Sequence, residues 1–170
     1  MRTAVLALLL VGAAIAVSGQ SSDSKLQAQL KQIFPSATGF SPKEGQPPHF
    51  KAYAGGQTIG GYAFWTTELE PLERAYDGPI KILVGMDTKG VLAGIIVVDH
   101  HEPYGNFSID PPQFAAQFKG KSIRDPFKVG SDIDAVSRAS ISITSATRAI
   151  RNSARRMARQ FLTPPEAGGK

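Results

Sequence analysis

Apolar and polar positions alternate along the chain in blocks of clearly different period. Leu26, Leu30, Ile33 and Phe34 recur at helical spacing, so a helix is expected over 25–34, capped by Ser24 and stopped by Pro35. A loop rich in turn formers follows, from Ser36 to Pro48. His49–Tyr53 then reads as a strand, Gly55–Gly56 as a tight turn and Thr58–Thr66 as the returning strand. The clearest local signal is the next hairpin: Ile80–Met86, the turn Asp87-Thr88-Lys89-Gly90, and Val91–Asp99. Its second strand is apolar at both Val91, Ala93, Ile95, Val97 and Leu92, Gly94, Ile96, Val98, the pattern of a central strand covered on both sides. Asp110 is placed to cap a short helix over Pro111–Phe118, ended by Gly120. A last helix is expected from near Ser145 to Leu162, with Ala146, Ile150, Ser153, Met157 and Phe161 on one stripe. This order of elements gives an α+β single domain: a twisted, mostly antiparallel sheet with packed helices.

The first nineteen residues follow a different rule. Met1-Arg2 precedes an uncharged run from Ala4 to Val17, too short for the ~20 residues that cross a bilayer, and small residues follow it. That is the form of a secretory signal peptide. The expected organisation is a leader over 1–19, a folded domain over 20–165 and a disordered tail over 166–170. The mature protein is expected to be soluble and exported.

Composition removes several chemistries. None of the 170 residues is Cys, so disulfides, thiolate metal sites and thiol nucleophiles are excluded. No phosphate-binding glycine loop and no nucleophile elbow are present. The formal net charge is +5, and Arg148, Arg151, Arg155 and Arg159 line one face of the last helix with Arg156 beside them. Such a stripe is either a solvated face or a dock for an acidic protein or an anionic membrane surface. Export and the lack of interleaved aromatics argue against nucleic acid. His100 and His101 end the apolar strand; adjacent strand residues face opposite ways, so one packs inward and one faces solvent, or one imidazole touches a bound aromatic ligand. A haem or metal held by His101 is a further alternative.

The densest run of hydroxyls lies just before the last helix, from Asp132 to Thr147. A helix N-terminus carries free N–H donors and partial positive charge. Hydroxyls there either cap the helix or seat, or become esterified to, a phosphate.

Within that run, Asp134-Ala135-Val136-Ser137-Arg138-Ala139-Ser140-Ile141-Ser142 resembles the flavinylation motif of the FMN-binding domain family. That motif is Asp, two variable residues, Ser or Thr, usually Gly, Ala, Ser or Thr, any residue, then the acceptor hydroxyl. Gly61-Tyr62-Ala63-Phe64, Tyr76-Asp77-Gly78-Pro79-Ile80, Leu83-Val84-Gly85-Met86-Asp87, His100-His101-Glu102-Pro103 and Ser153-Ala154-Arg155-Arg156 are similar, in the same order, to the NosR-type domain of that family. Flavoprotein subunits of the Rnf and sodium-translocating NADH:quinone reductase complexes are more distant members. The resemblance implies FMN as cofactor, attached by a flavin transferase that splits FAD. It implies Ser142 as acceptor, with Asp134, Ser137, Arg138, Ala139 and Ser140 in the other motif positions and Thr144 and Thr147 as out-of-frame alternatives. Two departures stand out: Arg138 replaces the usual Gly, and Ser142 the usual Thr. Arg138 either blocks the transferase or neutralises the flavin phosphate. The ring is expected over the sheet, near Tyr62, Phe64 or His101. The resemblance also implies a periplasmic location. The implied function is an exported FMN protein relaying electrons from a membrane redox complex to a periplasmic acceptor; the alternative is a flavin-free binding or regulatory module of the same fold.

Overall fold

The computed structural model describes residues 17–162, with side chains from Asp23 onward. The leader and tail expectations therefore fall outside the described residues, apart from the leader's end at Val17–Gly19. Those residues form the first turn of helix α1, Val17–Ile33. The helix begins well before the expected cap at Ser24. No proline lies between Ser18 and Ser24 to block the earlier start, despite the weak helix formers Gly19 and Asp23.

Five strands follow in the order met along the chain, all pairing antiparallel: β1 Gly39–Phe40, β2 Phe50–Gly55, β3 Thr58–Trp65, β4 Lys81–Asp87 and β5 Leu92–Asp99. The α+β class and the β4–β5 hairpin are as expected. The strand β5, expected to be central, lies at the sheet edge. Its apolar character on both faces has another cause, because α1 packs on one side and helix α4, Pro112–Ala116, on the other. A bulge where Gly85 pairs Gly94 but Met86 pairs Leu92 also breaks the expected alternation. Leu92, Ile95 and Val97 consequently join one core cluster, and Ala93, Ile96 and Val98 the other. The start of this edge is closed by Lys121, whose carbonyl accepts from Leu92 N–H at 2.8 Å.

The larger core lies between the sheet and the last described helix, α5, Ser140–Phe161. Phe64, Ile82, Val84 and Met86 meet Ile143, Ala146, Ile150 and Met157 there. The helical stripe read from the sequence is the buried face, although the helix starts five residues earlier than expected. On the opposite sheet face, Leu30 and Ile33 of α1 cover Ala63, Trp65 and Leu83. Two glycines permit that approach. A Cβ on Gly85 would lie 2.2 Å from Ile33 Cγ2, and one on Gly61 would lie 2.7 Å from the Phe34 ring.

Two short helices have no counterpart in the sequence expectations. Thr66–Leu69 forms α2, and the Thr66 hydroxyl ties it to β4 by donating to Ile80 O and accepting from Ile82 N–H, both at 3.0 Å. Gly105–Ser108 forms α3. Asp110 does not cap α4, whose N-cap is Pro111. Its carboxylate is taken by His100 instead.

Candidate functional site

Three segments separated in the sequence converge at the start of α5: the loop from Glu70 to Pro79, the stretch from His100 through α3, and the motif itself. Glu102 joins them. Its carboxylate accepts from Asp77 N–H at 2.8 Å and Tyr76 N–H at 3.3 Å, and the Ser142 hydroxyl donates to it. Both Glu102 and Ser142 are buried. Three donors directed at two oxygens suit an ionised carboxylate, which only accepts. A buried charge costs free energy unless it is bonded in this way.

Glu102 is itself held from behind. Its N–H donates to His100 Nδ1 at 3.0 Å, and His100 Nε2–H donates to Asp110 Oδ1 at 2.7 Å. An accepting Nδ1 fixes the neutral tautomer protonated at Nε2. Gly105 gives this imidazole its space, since a Cβ there would lie 2.1 Å from His100 Cε1. His100 thus packs inward and His101 faces solvent.

A second carboxylate ties the same loop to α5. Glu73 Oε1 accepts from Ser145 Oγ at 2.9 Å and lies 3.5 Å from Arg148. Further along the helix, Arg156 donates to Leu69 O at 2.7 Å, and Arg155 donates to Ile123 O and Asp125 O at 2.9 Å each. Arg155 of the stripe and Arg156 beside it therefore anchor neighbouring segments rather than standing free, and Arg148 is paired with Glu73.

The motif residues divide sharply. Ser137 and Arg138 occupy a four-residue turn closed by Ala139 N–H to Val136 O at 3.1 Å. Arg138 has φ +69°, in the left-handed region. The third residue of a type II turn takes such a φ and favours Gly. Ala139 is the buried N-cap and offers no side-chain cap, and Ser140 opens the helix on its exposed side. Asp134 is exposed, and its N–H donates to Gln117 Oε1 at 2.7 Å. Thr144 lies about 200° round the helix from Ser142, at ~100° per residue, and so on another face. It lines a separate groove with Thr147, Lys128 and Arg151. The acceptor position therefore lies inside the first turn of α5, not just ahead of the helix.

Tyr62 and Phe64 are not at this site. Phe64 is fully enclosed in the core, and Tyr62 is buried and stacked on Phe161 with ring centroids 5.0 Å apart. Their place in β3 turns them onto the core face, so a flavin ring finds no surface there. The sequence did not single out Leu72, Tyr104 or Phe107, and gave no sign that Tyr76 and Ile141 are exposed with them. Among the described residues the exposed large hydrophobics are Leu72 (91%), Tyr76 (71%), Ile141 (56%), Tyr104 (45%) and Phe107 (45%). All five lie in the three segments that meet at Glu102, and the Tyr104 and Phe107 rings touch at 5.4 Å.

This arrangement fits a flavin nucleotide. The uncapped N-terminus of α5 leaves N–H donors for a phosphate. Ser142 supplies a hydroxyl, and the exposed apolar residues supply surface of the kind that marks ligand or partner sites. No cluster of metal-ligating side chains occurs among the described residues, and no helix there is long and apolar enough to cross a membrane.

Comparison with known proteins agrees with the geometry. Residues 75–155 match the FMN-binding domain family. The chain is 31% identical over 147 residues to the regulatory protein NosR of Pseudomonas aeruginosa, covering 80% of this chain and 20% of that protein. It is 43% identical over 47 residues to one component of the ion-translocating oxidoreductase complex of Haemophilus influenzae, covering 28% of this chain and 21% of that component. The matched region thus spans about a fifth of the length of these curated relatives. Residues 75–155 of this chain are thus an FMN-binding domain by their match to that family, and FMN is the cofactor the match gives.

Proposed function

We propose that this protein is an electron carrier whose FMN is joined by a phosphoester to Ser142, and that it relays electrons between a membrane redox complex and a periplasmic acceptor. The observation that carries the reading is a buried hydroxyl at an uncapped helix start, bonded to the carboxylate that links the three segments carrying all five exposed large hydrophobics of the described residues. FMN supplies one- and two-electron chemistry that the polypeptide lacks. The chain's own residues bind and orient: the first turn of α5 faces the phosphate, and Tyr76, Tyr104, Phe107 and Ile141 offer the ring an apolar surface. The redox partner approaches this apolar rim, since much of the arginine stripe is already engaged within the fold. The leader over 1–19 accounts for export, and a flavin transferase for maturation. The names of the relatives, a regulatory protein and a component of an ion-translocating oxidoreductase complex, support the association with a membrane redox complex.

The test is co-expression of the full chain with a flavin transferase, followed by intact mass and visible absorbance. Wild type is expected to gain the mass of FMN less water, and Ser142→Ala to gain none. An adduct retained in Ser142→Ala would move the linkage to another hydroxyl. A wild-type protein of bare polypeptide mass that binds no added FMN would refute the proposal. One observation favours a flavin-free module of the same fold: Ser142 is nearly covered, with its hydroxyl turned onto Glu102. That reading predicts a colourless protein whose partner binding survives Ser142→Ala.

A further inference from the structure

We infer that Glu102 is the general base for attachment of the flavin at Ser142, and that it keeps the proton it takes. The inference rests on the phosphoester reading above. A serine hydroxyl is a weak nucleophile until a base within hydrogen-bond reach removes its proton. Among the described residues neither a histidine nor a lysine serves Ser142; its hydroxyl donates to Glu102 Oε2. The base is oriented in turn by Tyr76 N–H, Asp77 N–H and the His100 Nδ1 that receives its own N–H. This is the order nucleophile, base, orienting group that covalent catalysis requires.

The step balances with FAD as the co-reactant, presented by the transferase. Ser142 Oγ attacks the phosphorus on the riboflavin side of the FAD pyrophosphate. The Oγ–P bond forms as the bond from that phosphorus to the AMP oxygen breaks. AMP leaves with the electron pair, and the hydroxyl proton passes to Glu102 Oε2. The site began with one negative charge, on the carboxylate. It ends with one, on the phosphodiester, because Glu102 is now the neutral acid. Were that proton lost to solvent, two anions would face each other in a covered site, which like-charge repulsion and desolvation both oppose. The Ser142–Glu102 contact survives with its direction reversed, Glu102 donating to the oxygen from which it formerly accepted.

The neighbouring Ser145–Glu73 pair supplies an internal contrast. There the carboxylate already faces Arg148, whereas Glu102 makes no ion pair with Lys or Arg among the described residues. Ser145 therefore lacks what Ser142 has, a carboxylate with no cationic partner among the described residues.

The experiment follows adduct formation on the purified full chain with transferase and FAD, by intact mass against time. Glu102→Gln is expected to slow attachment by about 100-fold or more, the usual worth of a positioned base, while Glu102→Asp regains part of the rate. The infrared spectrum of the flavinylated wild type is expected to show the carbonyl band of a protonated carboxylic acid, absent from the unmodified protein and from Ser142→Ala. Equal rates for wild type and Glu102→Gln would overturn the inference, as would absence of that band. If Glu102→Gln fails to fold, the wild-type infrared band decides alone. A wild type that never takes flavin defeats the phosphoester reading itself and this inference with it. A modified wild type matched by Glu102→Gln defeats only the base.

Discussion

Replacing Arg138 with glycine should make the protein more stable. Arg138 is exposed and sits at φ +69° in the turn from Val136 to Ala139. An L-residue in the left-handed region carries a cost of about 1–2 kcal/mol, from its Cβ against the backbone. Glycine removes that cost but gives the unfolded chain more freedom, a loss of about 0.5–1 kcal/mol. The balance is a gain of about 0.5–1 kcal/mol. At about 2–4 °C per kcal/mol for a chain of this size, Tm should rise by ~1–4 °C. Urea unfolding of the unmodified protein, with Arg138→Ala as control, separates the causes. Alanine loses the charge and the long side chain but keeps the Cβ, so it should gain nothing. If Arg138→Ala is as stable as Arg138→Gly, the backbone argument is refuted and any gain belongs to the arginine's charge. The family pattern has glycine at this position, and the turn supplies the physical reason.

Gly85→Ala should destabilise by about 1–3 kcal/mol, the range for overpacking a filled core, because its new Cβ meets Ile33 and the Phe34 ring; a urea midpoint equal to wild type would show that α1 is not seated there. Asp132 supplies an acid-side prediction. Burial works against its charge, but hydrogen bonds from Lys128 N–H, Lys121 and Phe127 N–H prevail and hold its carboxyl below the ordinary 3.8. A depressed folded pKa contributes stability that is complete above the unfolded value and is lost as pH falls through it toward the folded value. Asp132→Asn should therefore lose stability at pH 7 and show a smaller further loss between pH 5 and about pH 2 than wild type; parallel pH profiles of the urea midpoint would count against the role.

The parts of the fold held together by neighbouring residues are legible in the sequence. The β4–β5 hairpin announces itself through the Asp87–Gly90 turn, and the apolar stripe of α5 through its period. The start of α5 is hidden because Ser140, Ser142 and Thr144 read as cap and turn residues, and Ala139, the actual N-cap, carries no capping group. The edge position of β5 is hidden too, because apolar residues on both faces report coverage from above and below, not neighbours on both edges. At the site, the acceptor and its motif are readable as a local string. The partner of Ser142 is not, because Glu102 lies 40 residues away and comes near only through tertiary packing. The same holds for the apolar rim, which belongs to three segments and follows no period.

The distance along the chain between Ser142 and its carboxylate has a consequence for timing. Neither an emerging nor an unfolded polypeptide presents the pair, since loop, strand end and final helix must all be in place before the hydroxyl meets its base. Under the proposed phosphoester linkage, an enzyme that modifies this serine acts on finished molecules, and pigmentation becomes a certificate of correct folding: misfolded copies would stay uncoloured.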